Sequence, residues 1–527
     1  MGLLSGSQRL GAAALLLAAS SLLSRLMGLI RDKIISWQFG ASHEADMYFA
    51  AFVVPDIINY LLAGGFMSIT MIPLLARAFQ KDGNDAWRLF SAIFGWITAA
   101  SCLLTLAGEI WALPLASLVA PGFDDGQLRR LAFFMRLILP GQIFFLSGAS
   151  FTALLFLRRQ FAVPALSPLV YNGCIILFGL LLPLAAANPA AFGMTGYCIG
   201  VGIGAFLGAF LLPLAVALKG GLAMRFNFWH RGIKKFLIIA LPLMLGQTVV
   251  MLDEQFLRVF GSLLPEGNVS LLNYGRRIAQ VPVSLMGQAI AVASYPFLVK
   301  LLAENRSDEF SATLNRALAA GLAIVIPLSL WMMAAARPLL GLIFEGGRFS
   351  AADAAACAPL AQIMLAPALA WIIYMVIARA FYAHEDTITP ALTGTAVTVL
   401  CIPCYYWLAI PNGSTGIAAV STLSICAYVA WLCLIWLKRH GPAAFSGLLN
   451  LCARVFAASL APAACAWLIC VYLPSPVAAP LAGHCLRLGI SLAAFTLLTL
   501  PLAWLFCPEL LGAFWKMLNR KRFRTIA

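Results

Sequence analysis

The sequence is poor in charge. Only 10% of its 527 residues are Asp, Glu, Lys or Arg, where ordinary globular chains carry roughly 25%. Acids are scarcer than bases, 20 against 35, and there are only five histidines. No polar stretch is long enough to make a separate soluble domain. No H-E-x-x-H, Walker loop, G-x-S-x-G or paired-carboxylate arrangement occurs. These absences remove the sequence grounds for an enzyme site, and no cofactor is expected. What is abundant is apolar: 62% of the residues are hydrophobic and the mean hydropathy is +0.93. A water-soluble fold could not hide that much apolar surface. A bilayer removes the difficulty, because a spanning helix needs about 20 mostly apolar residues. The apolar runs are continuous rather than alternating, which selects helices over a barrel.

About fourteen spans are predicted, near 13–36, 47–76, 89–119, 130–156, 162–185, 194–218, 236–263, 270–299, 312–336, 355–382, 388–410, 415–437, 448–473 and 486–507. The stretch Leu10 to Ile30 has the small residues Ala18, Ala19 and Ser20 of a signal peptide, but no soluble domain follows, so it reads as the first span. The net charge of +15 would suggest nucleic acid in a soluble protein. Here the cations sit in alternate loops. Arg77, Lys81 and Arg88 follow the second span, Arg158 and Arg159 the fourth, and Lys219, Arg225, Arg231, Lys234 and Lys235 the sixth. Lys300, Arg306 and Arg316 surround the loop after the eighth, Lys438 and Arg439 follow the twelfth, and Lys516 to Arg524 mark the tail. The intervening segments 186–193, 264–269 and 411–414 contain no Lys or Arg. Both termini are therefore expected in the cytoplasm, and no nucleic-acid partner is expected.

Phe156 is followed eight residues later by Pro164-Ala165-Leu166, and Tyr382 eight residues later by Pro390-Ala391-Leu392. Pro73 to Arg77 echoes Pro296 to Lys300. Both echoes link spans offset by six. They predict two six-helix lobes, 1–235 and 236–440, related by a pseudo-two-fold axis, with an extra helix pair and basic tail at 441–527. Cys401 and Cys404 form a C-x-x-C inside a span with no second pair or nearby His, and read as small apolar residues. His384 reads as a solvated loop residue.

Ionisable side chains inside spans are costly and mark partners or wet cavities. In the first span Ser24, Gly28 and Arg31 fall on one helical stripe, and Arg25 and Asp32 on its neighbour. Asp46 opens the second span, and Asn59 lies inside it. Pro55 and Gly64-Gly65 weaken that helix. Arg276 and Arg277 lie in the eighth span. Together they suggest a positive cavity between the lobes that holds an anion, since guanidinium groups match phosphate. The competing expectations are that Arg25 pairs with Asp32 or Asp46, and that Arg31 and Lys33 snorkel to the outer interface. In the seventh span Asp253 and Glu254 are ion-coupling candidates, although Glu254 and Arg258, four apart, can instead pair.

Ser24-Arg25-Leu26-Met27-Gly28-Leu29-Ile30-Arg31-Asp32 resembles the S-R-x-x-G-x-x-R-D signature of the MurJ (MviN) lipid II flippases. Ala45 to Pro55 resembles their second-helix opening. Ala120-Pro121-Gly122-Phe123, Phe161 to Pro168 with Asn172, Gly347-Arg348-Phe349 and Arg379 to Pro390 follow in family order, so the resemblance covers essentially the whole chain. It implies the multidrug/oligosaccharidyl-lipid/polysaccharide exporter fold and a place in the bacterial inner membrane. It also implies transport of undecaprenyl-pyrophosphoryl-MurNAc-pentapeptide-GlcNAc, lipid II, from the cytoplasmic to the periplasmic leaflet by alternating access. Family cavity residues carry over to Arg25, Arg31, Asp32, Asp46 and Arg277, and the final helix pair becomes a groove for the polyprenyl tail. The implied partners are lipid II, bilayer lipids and cell-wall synthesis proteins, around a monomer. Two positions depart from the family. Asn59 stands where many members have Arg, and Gly64-Gly65 where many have an acid followed by Gly. Arg276, where some relatives have an acid, is a compensating cation. The eleventh span has no acid, which counts against a sodium site found in some relatives. Another polyprenyl-linked sugar is the alternative cargo. A drug/cation antiporter would need an acidic cavity, against which Arg25 and Arg31 stand.

Overall fold

The structure, a computed structural model, describes residues 10–63, 70–185, 188, 192–225, 228–284, 288–474 and 480–508. Gly64-Gly65 and the basic tail from Lys516 lie outside these. Among the described residues everything regular is helical, apart from a single bridge between Gly346 and Phe349. Among the described residues ten helical stretches are long and apolar enough to cross a membrane. One of them, Ile388–His440, runs for 53 residues through the predicted eleventh and twelfth spans. The chain is a multi-pass membrane protein.

It divides into two compact units, Met1–Ser270 and Leu271–Ala527. The first contains α1 (Leu10–Phe39), α2 (His43–Ala50), α3 (Val53–Ala63), α4 (Ile72–Lys81), α5 (Gly83–Ile110), α6 (Ala112–Val119), α7 (Asp125–Ile138) and α8 (Pro140–Leu157). It continues with α9 (Ala162–Ala185), α10 (Thr195–Gly204), a π-helical turn at Ala205–Leu211, α11 (Leu212–Lys219) and α12 (Gly232–Gly261). The predicted second span is broken between α2 and α3, just before Pro55. Proline has no N–H to give the preceding turn, so the ladder stops there.

Helix α9 packs along α10 and the π-turn, and glycine makes the approach possible. A Cβ on Gly196, Gly200, Gly204 or Gly208 would lie 2.7, 2.9, 2.8 or 2.8 Å from a backbone carbonyl oxygen of α9. This four-residue spacing of glycines is the small-residue stripe that lets membrane helices meet backbone to backbone, where dispersion is the main attraction available. Helix α12 packs against α3. The contact boundary therefore falls after the seventh span, whereas the sequence echoes place the lobe boundary before it.

The second unit holds most of α13 (Asn268–Pro282), then α14 (Gln288–Ala303), α15 (Ser307–Ala334), α16 (Ala336–Phe344), α17 (Ala351–Leu365), α18 (Ala368–Ala383), α19 (Ile388–Cys404), α20 (Gly413–His440), α21 (Leu448–Tyr472) and α22 (Pro480–Phe506). The last two pack on each other and against α15 and α16. Cys404 Sγ donates to the carbonyl of Leu400 in its own helix, consistent with a small apolar residue rather than a ligand.

The Phe156 and Tyr382 echoes share one turn. Three residues beyond each, Arg159 and Glu385 adopt positive φ, 56° and 60°. Gln160 N–H bonds back to Leu155 O, and Asp386 N–H to Phe381 O, the six-to-one closure of a Schellman motif. His384, in the second turn, is not solvated as expected: its ring packs edge-on to Phe310 and Trp436, at centroid distances of 5.1 and 5.5 Å. Asp386 then ties off α19, accepting from Thr389 N–H (2.9 Å), Thr389 Oγ1 (2.6 Å) and Arg439 Nη1 (2.7 Å). Partial burial alone would raise the Asp386 pKa. The bonds from Thr389 and Arg439 outweigh it and hold the pKa below the ordinary 3.8. The charged form is thus the stabilising one, its contribution present above the unfolded pKa and lost as pH falls through the folded one. Asp386→Ala should melt below the parent protein at neutral pH. Thermal scans should show that gap closing below about pH 4.

Candidate functional site

The first-helix stripe turns inward. Arg31 is 14% exposed and Asp32 2%. Arg31 Nε and Nη2 donate to Asp32 Oδ1 at 3.0 and 2.8 Å, and Nη1 donates to Asn172 Oδ1 on α9 at 3.2 Å. Asn172 is oriented in turn, its amide donating to Pro168 O at 3.0 Å and to Ser24 Oγ at 3.4 Å. Ser24, Arg31 and Asn172 are therefore one network across α1 and α9. In it Asp32 accepts from its neighbour Arg31, and Arg31 is tied to α9. A guanidinium has five N–H bonds. Three are used here, and no described group accepts the other two. Nothing lies within 4 Å of where a Gly28 side chain would begin, so open space adjoins the stripe. Arg25, less than two turns earlier, is exposed. The arrangement is a held, charged fork beside an opening, suited to a phosphate oxygen.

Asp46 is placed differently. It is 2% exposed, and its carboxylate accepts from Gly267 N (2.7 Å), Ser270 N (2.7 Å) and Ser270 Oγ (2.5 Å). Gly267 is required there: its φ is +85°, and a Cβ would stand 2.8 Å from the Ala41 carbonyl oxygen. Asp46 thus pins the loop between α12 and α13 to the start of α2. Its carboxylate is taken by the protein's own donors. Asp46→Ala strands those donors and should cost about 3 kcal/mol, read as a clear drop in the thermal midpoint of the purified protein.

Asn59 donates to Gln142 Oε1 on α8 at 3.2 Å. One turn earlier on α3, Asp56 meets a cation from α12. Arg258 on α12, 4% exposed, donates to Asp56 Oδ2 at 2.8 Å, Glu254 Oε1 at 3.0 Å and Gln255 Oε1 at 3.0 Å. The pairing of Glu254 with Arg258 is thus as the four-residue spacing allows, and Asp56 completes a triad around the buried Arg258. Asp253 is half-buried. Asp56, Gln142 and Gln255 went unnoticed in the sequence. The available signal was a polar residue within an apolar span, which identifies cost but not partner.

In the second unit Arg276 donates to Ser421 Oγ at 3.4 Å and lies 5.6 Å from the Trp371 ring centroid, a cation–π brace. Arg277 is half-buried. Among the described residues no group of three or more His, Cys, Asp or Glu side chains is placed to hold a metal ion.

Apolar helices broken in mid-span, with guanidinium groups drawn inside and held by neighbouring polar groups, define a polytopic helical membrane protein. The fold is shared with solved structures. It matches an inward-facing multidrug-resistance MATE transporter of the MOP superfamily at TM-score 0.66 and 14% identity, over 82% of this chain and 99% of that one. It matches a lipid II flippase MurJ in an inward closed conformation at TM-score 0.78 and 20% identity, over 94% and 100%. The model of the lipid II flippase MurJ family matches residues 35–481, and the chain belongs to that family. It is 28% identical over 401 residues to the lipid II flippase MurJ of Burkholderia cenocepacia, covering 74% of this chain and 76% of the relative. It is 26% identical over 433 residues to the probable lipid II flippase MurJ of Vibrio cholerae, covering 79% and 81%.

Proposed function

We propose that the chain carries lipid II from the cytoplasmic to the periplasmic leaflet of the bacterial inner membrane by alternating access, with both termini in the cytoplasm. The observation that carries the chemistry is Arg31, oriented by Asp32 and Asn172, with two N–H bonds to offer beside the open flank of Gly28. A pyrophosphate supplies the oxygens those bonds need, and a low-dielectric setting strengthens the attraction. Arg25 adds charge near the entrance. Family membership supplies the cargo, and the alternation of cationic loops supplies the orientation.

In the second unit Arg276 and Arg277 are the cations proposed to meet the same anionic cargo. Glu254 is held by Arg258, so Asp253 is the acid proposed for ion coupling. Helices α21 and α22 show wide apolar faces, with Leu449, Leu497 and Trp504 85%, 71% and 70% exposed. Such faces suit a polyprenyl tail that never leaves the hydrocarbon. The working unit is proposed to be a monomer that meets cell-wall synthesis proteins. Depletion with complementation tests the function. Expression in cells stripped of their own flippase should restore access of periplasmic reagents to lipid II, and a well-expressed chain that restores none would refute it.

A further inference from the structure

A narrow apolar slot opens beside the middle of α5. Its volume is about 260 Å³, and its walls include Phe94, Gly95, Ala99 and Cys102 of that helix and Phe228 from the segment after α11. Ser91 and Arg225 stand at one end. From Ser91 to Cys102 is eleven residues, about 16 Å along a helix, close to half of a hydrocarbon core about 30 Å thick. The slot therefore has the length and direction of one acyl chain reaching from an interface to the bilayer midplane.

Its mouth is built rather than incidental. Arg225 N–H bonds to Ser91 Oγ at 2.9 Å and its guanidinium to Asn84 Oδ1 at 3.0 Å. Trp96 Nε1 donates to Phe228 O at 2.8 Å, fixing the strap that walls the slot. His230 and Asp85 pair at 3.0 Å and anchor its far end. Gly95 lets Phe228 close in, since a Cβ there would come within 2.9 Å of the ring. The acceptor on Arg225 is a neutral amide, so its charge is not cancelled. From Lys219 to Lys235 the sequence has five Lys or Arg and no acid. Beside the slot Trp229 is 83% exposed, as aromatic side chains are at a membrane interface.

We propose that this slot binds an anionic phospholipid of the cytoplasmic leaflet, one acyl chain lying between α5 and Phe228 and the phosphate resting on Arg225. Arg231, Lys234 and Lys235 surround the headgroup. Basic pockets beside membrane helices attract anionic headgroups in this way. The site is separate from the Arg31 network, and only the choice of leaflet depends on the proposed orientation. The binding itself can be measured without transport.

The test is native mass spectrometry of the delipidated full chain, titrated with phosphatidylglycerol, phosphatidylcholine or undecaprenyl phosphate. Phosphatidylglycerol should bind at one saturable site, at least tenfold tighter than phosphatidylcholine. Ala99→Trp, which fills the slot, should weaken it at least tenfold. Arg225→Gln should remove most of the headgroup preference. Leu103→Trp, at an exposed position of the same helix outside the slot lining, should change nothing. Should Ala99→Trp not fold, a diazirine-bearing phosphatidylglycerol should still label the peptide around Cys102 in the parent protein. Unaltered phosphatidylglycerol binding in Ala99→Trp, equal binding of phosphatidylcholine, undecaprenyl phosphate binding that Ala99→Trp weakens as much, or labelling elsewhere would each overturn the assignment.

Discussion

Arg31→Ala is expected to cut lipid II flipping about thirtyfold or more while the protein still accumulates in the membrane. Truncating one member of a buried, hydrogen-bonded charge pair typically costs about 2–5 kcal/mol, and the lower figure already corresponds to about thirtyfold. Part of that loss is structural, because Asp32, 2% exposed, is left without its cation. Arg31→Ala combined with Asp32→Asn removes the stranded charge. It should recover thermal stability without recovering transport. Arg31→Lys keeps the charge but loses the planar fork that reaches Asp32 and Asn172 together, and it should recover transport only weakly. Full flipping by Arg31→Ala, measured as access of a periplasmic reagent to lipid II, would remove the anion-binding role and leave family membership untouched.

The second large effect is expected at Arg258. It is the cation of a triad in which Asp56 and Glu254 are the acids, all three inside apolar helices. Breaking a buried pair by removing one partner costs about 3–5 kcal/mol, chiefly because the other charge is left uncompensated. Here two half-buried carboxylates would lose their shared cation, so Arg258→Met should melt clearly below the parent. Adding Asp56→Asn and Glu254→Gln removes both stranded charges, and the triple variant should return near parental stability, as neutral replacements of buried ion pairs often do. Transport by the triple variant then separates two roles. If it flips normally, Arg258 only joins α12 to α3. If it is stable but inactive, Arg258 stands in for the cation absent at Asn59, one turn from Asp56 on α3. Parental stability of Arg258→Met alone would show that the triad does not hold these helices together.

The two variants probe sites of unequal legibility. Arg31 was visible because a charge in an apolar run is costly wherever it lies, and because its neighbours follow a family pattern. The pairing of Glu254 with Arg258 was visible as well, since four residues is one helical turn. Asp56 was not, although it is the nearer partner of Arg258. It sits 202 residues away, and no local period connects the two. For Asp46 the family pattern implies an acid of the cavity. The structure surrounds it with three donors from Gly267 and from Ser270 in the first turn of α13, which only folding brings there. The glycines at 196, 200, 204 and 208 were legible in principle, since their spacing is regular, yet the helix they face could not be read from it.

The sequence by itself determined that this protein lives in a bilayer, that it is helical, and that a few guanidinium groups are kept inside it. Those properties follow from composition and local period, because burying an apolar run or a charge carries the same sign of cost in any fold. Only the tertiary structure decided which charges are neutralised and which remain available. Arg258 is closed off by two acids, Asp46 is closed off by donors of Gly267 and Ser270, and Arg31 keeps two N–H bonds beside an open flank. That distinction depends on distances between residues far apart in the chain. Electrostatic energy varies with those distances and with the local dielectric, and neither is set by the sequence around the charge.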